Sequence, residues 1–152
     1  MQTPPIAFLY PLLLAALATL CTIAVHGLAV METVHFIRFE RKLGRAGVSF
    51  WNDFVIVALA IFIGLIAHLV EIGVWAGLFF GLREFHDLGT AYYHSAVNYT
   101  TLGYGDLLLT PRWRLLGPLE AADGMLMFGV SAAMIFALIQ GLIQARFVDL
   151  RS

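Results

Sequence analysis

The segment TTLGYGD, residues 100–106, breaks an otherwise apolar chain with two threonines, two glycines, a tyrosine and an aspartate. Gly103 and Gly105 stand at alternate positions. An ordinary strand points successive carbonyls to opposite sides. Interleaved left-handed residues turn them to one side, and glycine adopts those angles at little steric cost. The carbonyls of Thr101, Leu102, Gly103 and Tyr104, with Gly105 ending the run and the Thr101 hydroxyl below, are expected to form a ladder of oxygens. Such a ladder can replace the water around a dehydrated cation. Tyr104 is expected to point away and brace the strand, with Thr100 leading in and Asp106 closing the outer mouth.

The rest of the chain says where such a ladder would sit. Of 152 residues, 61% are apolar and only 12% charged, whereas a soluble domain carries about 25% charged residues. The mean hydropathy is +0.86, so the membrane class leads. A net charge of −1 and the lack of a basic run exclude a nucleic-acid partner. Cys21 lies alone in an apolar run, where a small buried side chain is expected. Three runs, residues 6–31, 54–82 and 115–145, exceed the roughly 20 apolar residues that cross a bilayer. The opening MQTPP has no basic side chain and the run after it is too long for a signal peptide, so an uncleaved helix is expected despite a weak cleavage-like ALA at residues 16–18.

Orientation follows from the basic residues. Arg38, Arg41, Lys42 and Arg45 lie between the first two spans, and Arg146 and Arg151 lie in the tail. Arg83, Arg112 and Arg114 fall on the other side. Six against three predicts an outside N-terminus and a cytoplasmic C-terminus in the cell (inner) membrane, within a lipid bilayer. Asp87 is a fair N-cap for residues 88–100, a semi-polar run too short to cross. That run must enter the membrane and return, and irregular backbone at membrane depth survives only where protein or a watery cavity covers it. The expected fold is an all-α membrane domain: an extra N-terminal helix at 6–37, an outer helix at 53–82, a re-entrant helix and filter at 88–106, and an inner helix at 115–147.

The seven residues 100–106 resemble the signature filter of pore-loop potassium channels, usually Thr-Thr-Val-Gly-Tyr-Gly-Asp. The resemblance covers roughly residues 54–147 as outer helix, pore helix, filter and inner helix. It implies four loops around one axis, hence a homotetramer, because this chain holds one copy. It also implies potassium ions in the filter and no organic cofactor. Each pore helix would aim its partially negative C-terminus at a central cavity. Leu102 replaces the usual valine, but its carbonyl is the ligand. Tyr93 and His94 stand where many relatives carry two tryptophans, and Val97 where some bacterial relatives carry a glutamate behind the filter. Tyr93 retains a hydroxyl able to reach Asp106 or Tyr104.

Aligning residues 113–116 with the start of the family's inner helix puts Gly124 at the hinge position and Gly129 at a second glycine site. The alternative for both is close packing between helices. Met125, Phe128, Ala132 and Phe136 share a helix face and are expected to line the cavity or, alternatively, to pack on the outer helix. No arginine repeat marks a voltage sensor, and no soluble regulatory domain is expected in the chain.

Ionisable residues at membrane depth are functional candidates. His68 and Glu71, three apart, share one helix face, as do Glu120 and Asp123. A buried polar network behind the filter is expected to join Glu71, Asp123, His94 and Asn98. The first span is expected to be a neutral packing helix, with His26, Glu32 and His35 toward its cytoplasmic end in a salt-bridge cluster with Arg38. The leading expectation is a potassium-selective channel and not an enzyme. The alternatives are a weakly selective cation channel, a membrane-embedded metal-dependent enzyme, whose ligands here scatter along three helices, and a potassium transporter, which would need four loops in one long chain.

Overall fold

The computed structural model describes residues 5–149, so Arg151 and the first four residues lie outside the described part. The described residues form four helices and no strand: α1 (Pro5–Lys42), α2 (Phe50–Gly81), α3 (Leu88–Tyr99) and α4 (Leu116–Asp149). Stretches of α1, α2 and α4 are long and apolar enough to cross a membrane, at Leu9–Lys42, Phe50–Gly81 and Leu116–Phe147. At 1.5 Å per residue α1 is about 57 Å long, well beyond the roughly 30 Å hydrocarbon core.

The helix ends have local causes. α1 stops where Gly44 turns left-handed at φ +66, with Gly44 N–H bonding the Arg41 carbonyl and Arg45 N–H the Glu40 carbonyl. This paired closure satisfies two of the carbonyls a helix end leaves free. α2 begins at Ser49, whose hydroxyl accepts the Asn52 N–H at 3.2 Å. It ends by the same closure, yet the left-handed residue there is Arg83, not the nearby Gly81. Asp87 caps α3, accepting the Thr90 N–H at 2.8 Å and the Thr90 hydroxyl at 2.6 Å. Those two bonds hold the Asp87 carboxyl below the usual carboxylate range.

α1 packs along α2 and α4, and α3 fits between α2 and α4. Two apolar clusters hold the bundle. Trp75, Phe79, Tyr99, Trp113, Leu116 and Met127 build one around α3, with Ala15 and Ala18 of α1 against it. Ile56, Ala60, Leu138 and Leu142 build the other toward the opposite end. At that end Arg146 donates to Asp53 at 2.6 Å, and Asp53 also accepts the Gly47 N–H at 2.8 Å. Leu13, Leu17, Leu20, Leu28, Phe62 and Leu65 point outward and are exposed, the arrangement of a surface that meets lipid rather than water. Cys21 is exposed too, not buried as its apolar setting predicted, because it lies on that outward face of α1.

Candidate functional site

The segment after α3 is shaped by three left-handed residues at alternate positions. Thr101 has φ 60, Gly103 φ 60 and Gly105 φ 72. Two of these are glycines and meet the angle freely; Thr101 is β-branched, for which a positive φ is a genuine outlier. The segment is anchored at its start. The Thr100 hydroxyl donates to the Ala96 carbonyl at 2.7 Å, and Thr101 N–H to the Asn98 carbonyl at 2.8 Å. Leu102 and Gly103 N–H groups both donate to the Val97 carbonyl, at 3.0 and 3.1 Å. Val97 thus supports the segment through its backbone, a role its side chain gave no hint of. The carbonyls of Thr101, Leu102, Gly103, Tyr104 and Gly105 accept no hydrogen bond from the described residues. Leu102 and Tyr104 side chains are exposed.

Around it, the supports come from α3. Tyr93 donates its hydroxyl to Asp106 at 2.9 Å, fastening the far end of the segment to the helix. His94 and Asn98, one turn apart on α3, bond each other at 2.8 Å, and His94 packs between the rings of Phe79 and Phe85. Glu84 grips the loop that follows, accepting the Thr110 N–H at 2.6 Å and its hydroxyl at 2.8 Å. Gly124 of α4 lies against the last turn of α3. A Cβ there would overlap the Tyr99 carbonyl oxygen and stand 2.9 Å from its carbonyl carbon. The close-packing alternative therefore describes Gly124, within an uninterrupted helix, while no such neighbour crowds Gly129.

The single network expected behind the segment divides in two. Glu71 bonds His26 at 2.8 Å, His68 at 3.0 Å and the Tyr99 hydroxyl. Asp123 separately accepts the Thr22 hydroxyl and the Trp75 indole N–H, each at 2.8 Å. Neither acid bonds His94 or Asn98, which pair with each other instead. Glu120 reaches Ser95, whose hydroxyl also lies 2.9 Å from the Ile72 carbonyl. One oxygen each of Glu120 and Asp123 finds no protein partner. The division has a physical cause: α1 supplies Thr22 and His26, and each acid is satisfied by the partner that α1 brings. α1 is thus more than neutral packing, and His26 sits at the level of Glu71 instead of toward the cytoplasmic end. Glu32 and His35 are exposed, and the ion pairs near that end are Glu40–Arg45 and Asp53–Arg146 rather than a cluster on Arg38. The ligand set that looked scattered along three helices also converges in part, at His26, His68 and Glu71.

On α4, Met125, Ala132 and Phe136 are exposed along one face. Phe128 turns toward α2, its ring 4.3 Å from His68 and 5.7 Å from Tyr99. With three apolar helices of spanning length, this is a multi-pass membrane protein. Residues 55–141 match the ion channel family Ion_trans_2, and the chain belongs to it. No curated protein and no solved structure matches the chain in the corresponding comparisons. Membership sets the chain among ion channels rather than enzymes, with α1 lying outside the matched region.

Proposed function

We propose that the chain is one subunit of a potassium-selective channel, in which four copies surround a single ion path. The observation that carries this reading is the alternation of left-handed φ at Thr101, Gly103 and Gly105 beside carbonyls that no protein donor occupies. Five consecutive carbonyls left without a partner are costly in an apolar surrounding unless something takes the donor's place. A dehydrated potassium ion does so, passing from site to site by mutual repulsion between ions. Potassium at Thr101, Leu102, Gly103, Tyr104 and Gly105 is the only cofactor in this reading.

In it, α3 is a re-entrant pore helix, α2 the outer helix and α4 the inner helix. The exposed face of Met125, Ala132 and Phe136, with Phe128 at its edge, lines the cavity below the filter. The C-terminus of α3 directs its partial negative charge to that cavity. The cluster of basic residues at the joined ends of α1, α2 and α4 argues for a cytoplasmic C-terminus and an outside N-terminus in the cell membrane.

Potassium flux from liposomes, with reversal potentials in mixed potassium and sodium, tests the reading. Wild-type protein is expected to pass potassium in strong preference to sodium, and Gly103→Ala to abolish flux because alanine does not hold φ 60. Equal permeability would leave a weakly selective cation channel; undiminished flux in the variant would remove the filter assignment.

A further inference from the structure

Between the two apolar clusters lies a polar group drawn from three helices: His26 of α1, His68 and Glu71 of α2 and Ser131 of α4. All four are buried, Glu71 completely. One donor atom from each of His26, His68 and Glu71 falls within 4.8 Å of the other two. We propose that these three side chains form a binding site for a divalent transition metal, with zinc the best chemical match.

The geometry points there through the ring nitrogens. Nδ1 of His26 lies 2.8 Å from Glu71 Oε1, and Nδ1 of His68 lies 3.0 Å from Oε2. The other nitrogen of each ring faces the same hydroxyl: His68 Nε2 is 3.1 Å and His26 Nε2 3.3 Å from Ser131 Oγ. If both neutral rings carried their hydrogen on Nδ1 and gave it to Glu71, two Nε2 lone pairs would confront the one hydrogen of Ser131. One would go unsatisfied in a buried site. With a cation on the two Nδ1 lone pairs and the carboxylate, each ring carries its hydrogen on Nε2. Ser131 Oγ then accepts both with its two lone pairs. That is the outer-shell pattern that fixes the tautomer and aim of metal-bound histidines.

Two imidazoles and one carboxylate are a zinc ligand set, leaving a fourth position of the tetrahedron. The Tyr99 hydroxyl stands beside it, 3.3 Å from His68 Nδ1 and bonded to Glu71. Bonds of about 2.0–2.1 Å to each ligand put neighbouring tetrahedral ligand atoms about 3.3 Å apart. The 2.8 and 3.0 Å separations need to open only slightly. Magnesium and calcium fit poorly, since both ask for six or more oxygen ligands, largely carboxylate, carbonyl and water. Because Tyr99 ends α3 two residues before Thr101, a bound metal would lock α1, α2 and α4 to the base of the proposed filter.

The test is metal content, read on protein in detergent and so independent of whether the chain conducts. Tag-free protein from cells grown with added zinc is purified without chelator, checked as monodisperse and helical, and analysed for metal. About one zinc per chain is expected, and cobalt grown in instead should give the visible bands of tetrahedral cobalt. Ser131→Ala, which leaves the three ligands in place, should weaken zinc retention against a competing chelator by about 10- to 100-fold. Glu71→Gln should lose the metal. Folded wild-type protein that carries neither zinc nor cobalt above its dialysis buffer would overturn the site, and would mark the cluster as hydrogen-bonded only. That readout needs no variant to fold.

Discussion

Thr101 and Gly124 are the two residues whose roles turn on backbone rather than side chain. Thr101 holds φ 60, an angle its glycine neighbours in the alternation reach without strain. It is kept there by the Asn98 carbonyl, which accepts its N–H, and by the Val97 carbonyl, which accepts the next two. Gly124 is set by proximity: any side chain would collide with the Tyr99 carbonyl. Gly124→Ala is therefore expected to destabilise the folded protein by about 1–3 kcal/mol, the usual range for overpacking. Thermal unfolding in detergent reads this directly. A variant of unchanged stability with altered opening would instead restore the hinge role. Both residues bear on what a sequence discloses. The glycines at 103 and 105 announce left-handed angles because glycine is the residue that takes them freely. Thr101 announces nothing, since its angle comes from the two carbonyls behind it. Leu102 is exposed, so the departure from valine meets no packing constraint within its own chain.

Among the helices, α1 departs furthest from what its composition implied. Its apolar run predicts a span, and a span is what forms. Its partners could not be read in the same way. Spacing along a helix pairs residues three or four apart, which brings His68 to Glu71. It says nothing of His26, 45 positions from Glu71, or of Thr22, 101 positions from Asp123. Those contacts depend on how α1 leans across α2 and α4, and one uncharged helix looks much like another until it is packed. The end of α2 was equally silent, because Arg83, an ordinary residue, takes the left-handed position. Thr22→Val tests what α1 contributes. It removes one of two donors to the buried Asp123 with little change of shape, and a lost donor of this kind costs about 1–3 kcal/mol. The melting temperature should fall, and Thr22→Ser should restore it. If valine is tolerated without loss, α1 merely packs.

Taken whole, the molecule is tightly built where its helices meet and bare along one edge. Residues 101–106, Met125 and Phe136 are all exposed in a single chain, although they include the segment that the sequence marks most strongly. Trp75, Phe79 and Tyr99, by contrast, are completely buried behind that edge. The rigid half of the site is internal to the chain, and the open half is left to whatever lies beyond it. Under the proposed ring of four, each copy owns one wall of a passage and none owns the passage itself. The unoccupied carbonyls then have a genetic consequence. A defective copy cannot be bypassed by sound neighbours, so a Gly103→Ala allele should be dominant. Expressed in equal amounts with the wild type and mixed at random, it should leave about one-sixteenth of the full conductance, the share of rings free of any variant chain. A fall to only one half would mean that every chain conducts by itself.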